Sequence, residues 1–230
     1  MFNQQNIYQT SSRPTSAEAS AYMNKVFGWM GGGLLITALT AHWTANNIGF
    51  IPGSWYLFLF IGQIFLVYRI SRHVMNMSVN GATGMFLLYT ALTGVSLSGL
   101  TMIYTTESIA TTFLSTSALF GGMAIFGMTT KKDLTSMGSF LYKGLIGIII
   151  SSIINIFVGS NIMQMAISAI GVIIFTGLTA YDTQKILQMY QGGEIYSETG
   201  TKKAILGALV LFLDFINLFI FLLRFLGNRR

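Results

Sequence analysis

Polar residues dominate the first twenty positions, where Gln, Asn, Ser and Thr surround a single Pro14. The chain then changes character. Seven apolar runs follow, at about 26–45, 54–71, 82–104, 109–128, 139–158, 164–189 and 204–226, separated by short polar connectors. Each run spans about 18–26 residues, which at 1.5 Å per residue crosses a hydrocarbon core about 30 Å thick. None alternates apolar and polar residues as the strands of a membrane barrel do. Backbone groups in lipid must be satisfied within the segment, so each run is expected to be a helix. The pattern predicts an all-α membrane protein with seven transmembrane helices in residues 21–230, preceded by a mobile polar tail over residues 1–20. The tail is not expected to act as a secretory signal, because the first apolar run starts late and no small-residue cleavage site follows it.

Composition agrees with the pattern. Hydrophobic residues make up 53% of the chain and charged residues only 9%, against about 25% charged in a soluble domain. The mean hydropathy is +0.64. So few charges cannot coat a soluble globule of 230 residues. The net charge of +6 does not imply nucleic acid, because the basic residues lie in connectors rather than on one face. With no Cys, disulfides, thiolate metal sites and a Cys nucleophile are excluded.

The placement of Lys and Arg predicts orientation. With the N-terminus inside, the inner connectors hold Arg13, Lys25, Arg69, Arg72, Lys131, Lys132, Lys143, Lys185, Lys202 and Lys203. The outer loops at about 46–53, 105–108 and 159–163 hold none, as the positive-inside rule requires. Arg229 and Arg230 run against this bias, which leaves open a final helix that re-enters without crossing. The inner connector at about 190–203, with Gly192, Gly193, Glu194, Glu198 and Gly200, is expected to be a solvated loop.

Ionisable groups at membrane depth carry the chemistry. An Asp at a helix centre costs roughly 2.5–3.5 kcal/mol on insertion scales, so it marks a functional position by default. Asp214 sits ten residues into the seventh run, within LVLFLDFINLFIFLLRF. Gly207, Asp214, Asn217 and Arg224 share one helical face there. Asp182 lies in TGLTAYDTQKI, at similar depth if the sixth helix continues to about Met189. Two carboxylates meeting in low dielectric cannot readily both ionise, so the pair is expected to share a proton near neutrality. Loss of that proton brings repulsion and exposes hard oxygens suited to transient Ca²⁺. Arg69, ending the second run on the same side, is a candidate latch on Asp182. Simpler readings stand beside these: a snorkelling Arg69, an interfacial Asp182, and an Asp214 that only makes a structural hydrogen bond.

Other residues offer less. His42 and His73 have no partner at ligand spacing and read as interfacial. Glu107 is expected in an outer loop, where an acid attracts cations. The Met residues read as packing filler. Gly31, Gly32 and Gly33, and Gly121 and Gly122, are expected to mark close helix contacts.

TALTA in the first run, TGLTAYDTQKI in the sixth and LDFINLFIFLLRFLG in the seventh resemble the Bax inhibitor (transmembrane Bax inhibitor motif) family in its bacterial branch. The resemblance extends over nearly the whole chain after residue 20. It implies two three-helix layers wrapped around a central C-terminal helix, and a pH-sensitive Ca²⁺ leak without a bound cofactor. Its two motif aspartates fall on Asp182 and Asp214, and its latch arginine on Arg69 or, one turn on, Arg72. Some bacterial members carry an acid in the outer half of helix two, facing entering ions. The matching stretch here, Trp55 to Ile61, has none.

The resulting expectation is a non-enzymatic cation leak in a bacterial inner membrane, with the N-terminus cytoplasmic. Asp182, Asp214 and Arg69 would sense pH, supported by Tyr181, Asn217 and Arg224. A second reading is a regulatory protein that binds a membrane-bound protease through its polar tail, as some relatives are thought to do. A third is an intramembrane aspartyl protease. Tyr181–Asp182 fits that class, but Asp214 lies between Leu213 and Phe215 rather than in Gly-rich sequence, and no Pro follows Pro52.

Overall fold

A computed structural model of the chain describes residues 16–47, 51–190, 192 and 194–230. Among these, the helices are α1 (Ser16–Asn47), α2 (Gly53–His73), α3 (Val79–Leu97), a short α4 (Leu100–Ile103), α5 (Thr106–Thr129), α6 (Thr135–Val158), α7 (Asn161–Gln188) and α8 (Glu198–Leu226). The helix starts follow local chemistry. The side chains of Ser78, Thr105, Ser160 and Ser197 accept from the backbone N–H three residues on, satisfying donors that the first turn would otherwise orphan. Gly159 closes α6 with φ +66°, a left-handed conformation that favours glycine.

All seven expected runs are helices, with α3 ending earlier than expected and α4 carrying on from it after Ser98 and Gly99. Among the described residues, six helices are long and apolar enough to cross a bilayer. The exception is α1, the longest at 32 residues. Its apolar content is diluted by Thr37, Thr40, Thr44, His42, Asn46 and Asn47. Much of that polarity is spent inside the bundle: Thr37 and Thr44 are buried, and Thr37 Oγ1 donates to the Thr90 carbonyl of α3 at 2.8 Å. α1 begins at Ser16, and residues 1–15 of the polar tail lie outside the described residues, as does Arg13.

α1 and α3 run side by side in the same direction, and α2 packs on α3. α5 and α6 both pack on α7. Between these two three-helix groups lies α8, touching α1 and α3 on one side and α5 and α7 on the other. α8 holds the core of the molecule, with Ile205, Leu209, Phe212, Leu218 and Leu223 all buried. The apolar residues left outside, such as Phe157 at 85% and Ile162 at 84% exposure, form the surface a bilayer covers.

Close helix approach does not follow the glycine runs. A Cβ on Gly31, Gly32, Gly121 or Gly122 would meet nothing within 4 Å, so these glycines do not mark contacts. Of the five glycines expected to mark helix contacts, Gly33 alone does, against Phe86 and Thr90. The tight crossings are at Gly94, where a Cβ would strike Thr37 and Thr40, and at Gly127, where it would strike the Ala180 carbonyl. Isolated glycines pack here because contact depends on helical phase, which a Gly-Gly pair cannot hold on one face.

The two ends of the bundle differ. At the lysine-rich end, Lys202 Nζ reaches the Met75 carbonyl before α3 at 3.5 Å, and Lys25 Nζ donates to the Ile195 carbonyl at 2.7 Å and to Thr201 Oγ1 at 2.8 Å. Tyr22 stacks on Tyr190 with ring centroids 4.8 Å apart. The connector expected as a solvated loop is therefore partly closed, and α8 begins within it at Glu198. At the opposite end the C-terminus pairs with the residues between α4 and α5. Arg230 N donates to the Ile103 carbonyl at 3.0 Å, and Asn228 N to Ser108 Oγ at 2.9 Å. α8 thus runs the whole length of the bundle.

Candidate functional site

α7 continues through Asp182 to Gln188, so Asp182 lies six residues, about 9 Å, inside its helix end. α7 and α8 are antiparallel neighbours, with Gly171 against Phe221 at one level and Ile186 against Gly207 at another. Asp182 and Asp214 lie between those levels. Both are buried, at 3% and 5% exposure, and their carboxyl groups meet within hydrogen-bonding reach.

A third group completes the site. Tyr142 of α6 donates its hydroxyl to Asp182, 3.1 Å from Oδ1 and 3.0 Å from Oδ2. Its ring lies edge-on to Tyr181, with centroids 6.0 Å apart, and Lys185 Nζ lies 5.6 Å from the Tyr181 ring centroid. Asp214 Oδ2 is buried and, among the described residues, accepts from no donor. Two ionised carboxylates about 4 Å apart repel by about 4 kcal/mol at an effective dielectric near 20. The arrangement is a carboxyl pair on neighbouring helices with one phenol as its external donor.

The other expected members stand apart. Arg69 is half-buried and makes neither ion pair nor hydrogen bond to Asp182 or Asp214, so the latch is not made in this structure. The reason is architectural: α2 packs with α3 on one side of α8, and α7 lies on the other. Arg72 instead lines a cleft with Tyr68, Tyr89 and Leu213. Asn217 Nδ2 donates to the Leu213 carbonyl of its own helix at 2.8 Å. Arg224 is exposed, ten residues and about 15 Å along α8 from Asp214. Tyr181 contacts Tyr142 but bonds neither acid. Glu107 lines a polar cavity of about 220 Å³ with Thr105, Thr111 and Ser115 at the C-terminal end of α8. Among the described residues no three His, Cys, Asp or Glu cluster as a metal site. Ca²⁺ at the pair would find two carboxylates and one phenol oxygen, fewer groups than the 6–8 oxygen ligands it usually takes.

A family model described as "Inhibitor of apoptosis-promoting Bax1" matches residues 19–230. The chain belongs to the Bax inhibitor family. Similar relatives include the inner membrane protein YbhL of Escherichia coli K12, 44% identical over 220 residues that make up 93% of this chain and 94% of that protein. An uncharacterized protein of Borreliella burgdorferi is 48% identical, covering 91% of this chain and 92% of its own. One from Deinococcus radiodurans is 38% identical over 98% and 97% of the two chains.

For this member of the Bax inhibitor family, sequence reasoning missed Tyr142 and Gln184. Tyr142 had one signal, a phenol beside Lys143 near the start of a mostly apolar run. Gln184 is buried two residues past Asp182. Its Oε1 accepts from Leu134 N at 2.9 Å and its Nε2 donates to the Lys132 carbonyl at 2.9 Å, pinning the α5–α6 connector to α7.

Proposed function

We propose that this Bax inhibitor family protein is a pH-sensitive cation leak, with Ca²⁺ as the permeant ion. The observation that carries the reading is the buried contact of Asp182 with Asp214 across the α7–α8 seam. While one proton is shared, the two central helices are tied at that level. When the proton leaves, two like charges face each other in low dielectric, the seam loosens, and the oxygens become cation ligands. Tyr142 steadies Asp182 in both states, the part first expected of Arg69. The name of the Escherichia coli relative and the positive-inside bias support a bacterial inner membrane with the N-terminus cytoplasmic.

The test is Ca²⁺ uptake by liposomes carrying the purified protein and an internal indicator, measured across roughly pH 5 to 8, on either side of neutrality, where the pair is proposed to exchange its proton. Native protein gives pH-dependent uptake, whereas Asp182→Asn and Asp214→Asn give uptake that no longer follows pH. Native uptake indifferent to pH, or variants that track native, would contradict the reading.

A further inference from the structure

We propose that a cleft between α6, α7 and the last turn of α8 binds the phosphodiester of an anionic lipid headgroup, with Arg224 as the gripping cation. The cleft measures about 390 Å³ and lies at the end of the bundle opposite the lysines. Its polar lining is Ser152, Asn155, Gln164 and Arg224, and Ile156 and Ile167 form its apolar wall.

The donors are available. Arg224 makes no ion pair or hydrogen bond with any described residue, and neither do the side chains of Ser152 and Gln164. Asn155 Oδ1 accepts from Ser160 N at 3.0 Å. That fixes the amide so that its NH₂ group remains unspent. A guanidinium fork, two amides and a hydroxyl in one recess form a donor set matched to phosphate oxygens.

The surroundings choose the source of the phosphate. Phe157 and Ile162, next to the cleft, are 85% and 84% exposed, so apolar surface for acyl chains adjoins the polar recess. A soluble phosphate has no use for that surface. No Asp or Glu lines the cleft, so the ammonium of a zwitterionic headgroup finds no counter-ion. Phosphatidylglycerol fits better than phosphatidylcholine for that reason.

Native mass spectrometry of the full-length protein in detergent, titrated with phosphatidylglycerol or phosphatidylcholine, tests the site. Native protein retains phosphatidylglycerol preferentially, and Arg224→Gln weakens that retention by about tenfold, the worth of one charge-assisted contact. Arg224→Lys, which keeps the charge without the fork, falls between. Gln164→Leu weakens retention while leaving Arg224 untouched, so the proposal stays testable should an Arg224 variant misfold. Equal retention of both lipids, or native-like retention by both Arg224→Gln and Gln164→Leu, overturns it. Displacement of phosphatidylglycerol by excess inorganic phosphate overturns the lipid assignment as well.

Discussion

Gln184 shows how a single buried amide organises this protein. Both ends of its side chain are spent on the backbone of the α5–α6 connector, which places α6, and with it Tyr142, against Asp182. Gln184→Ala leaves the Leu134 N–H without its partner, at a cost of about 1–3 kcal/mol. Thermal unfolding in detergent measures that loss, and loosening of Tyr142 should blunt the pH response of Ca²⁺ uptake in the same variant. A second residue-scale prediction concerns Tyr22, which lies beyond the apolar run of α1. Burial, reinforced by the negative charge of Glu194, pushes its phenol up to about 12 from 10.0. The folded state therefore keeps that proton while the unfolded chain has released it. The stability gained is full below about pH 10 and falls as pH rises toward 12, by up to roughly 2–3 kcal/mol. Alkaline unfolding curves should show Tyr22→Phe losing less stability over that interval than native protein does. Identical slopes would remove Tyr22 from the account.

At the scale of elements, the apolar runs revealed the helices because membrane insertion depends on length and hydropathy, both written in the sequence. Helix contacts were harder to read. They depend on rotational phase, so the paired glycines at 121 and 122 face open space while isolated Gly127 meets the Ala180 backbone. Gly127→Val should force α5 and α7 apart and cost about 1–3 kcal/mol as overpacking. Gly121→Val, in open space, should unfold at nearly the native temperature. Equal loss in the two would mean that helix propensity, rather than the crossing, sets the effect. The latch contact, absent from this structure, belongs to this same scale. Depth along the membrane normal follows from residue count, which is why Asp182 and Asp214 were matched correctly. Which helices are neighbours does not follow, so Arg69 was expected at a carboxylate that lies on the far side of α8.

For the whole molecule, the central position of α8 makes the seam between α7 and α8 the natural place for a switch. It is the most buried of the membrane-length helices, and it packs against members of both three-helix groups. Because α8 traverses the bundle, residues at the start of α1 and at the C-terminus lie at opposite ends. The chain has no Cys, so single cysteines at Glu18 and Arg230 can be labelled without background. An impermeant thiol reagent added outside intact cells should modify the second and spare the first. Labelling of both from one side would refute the arrangement of α8. The proposed switch rests on one proton held between two acids. Infrared spectra of the protein across pH observe it directly, through the C=O stretch of a protonated carboxyl. Native protein should show one such band that fades over the same pH interval in which Ca²⁺ uptake changes, altered in Asp182→Asn and in Asp214→Asn. A spectrum without that band, or one whose fading bears no relation to uptake, would contradict the shared proton and the switch built on it.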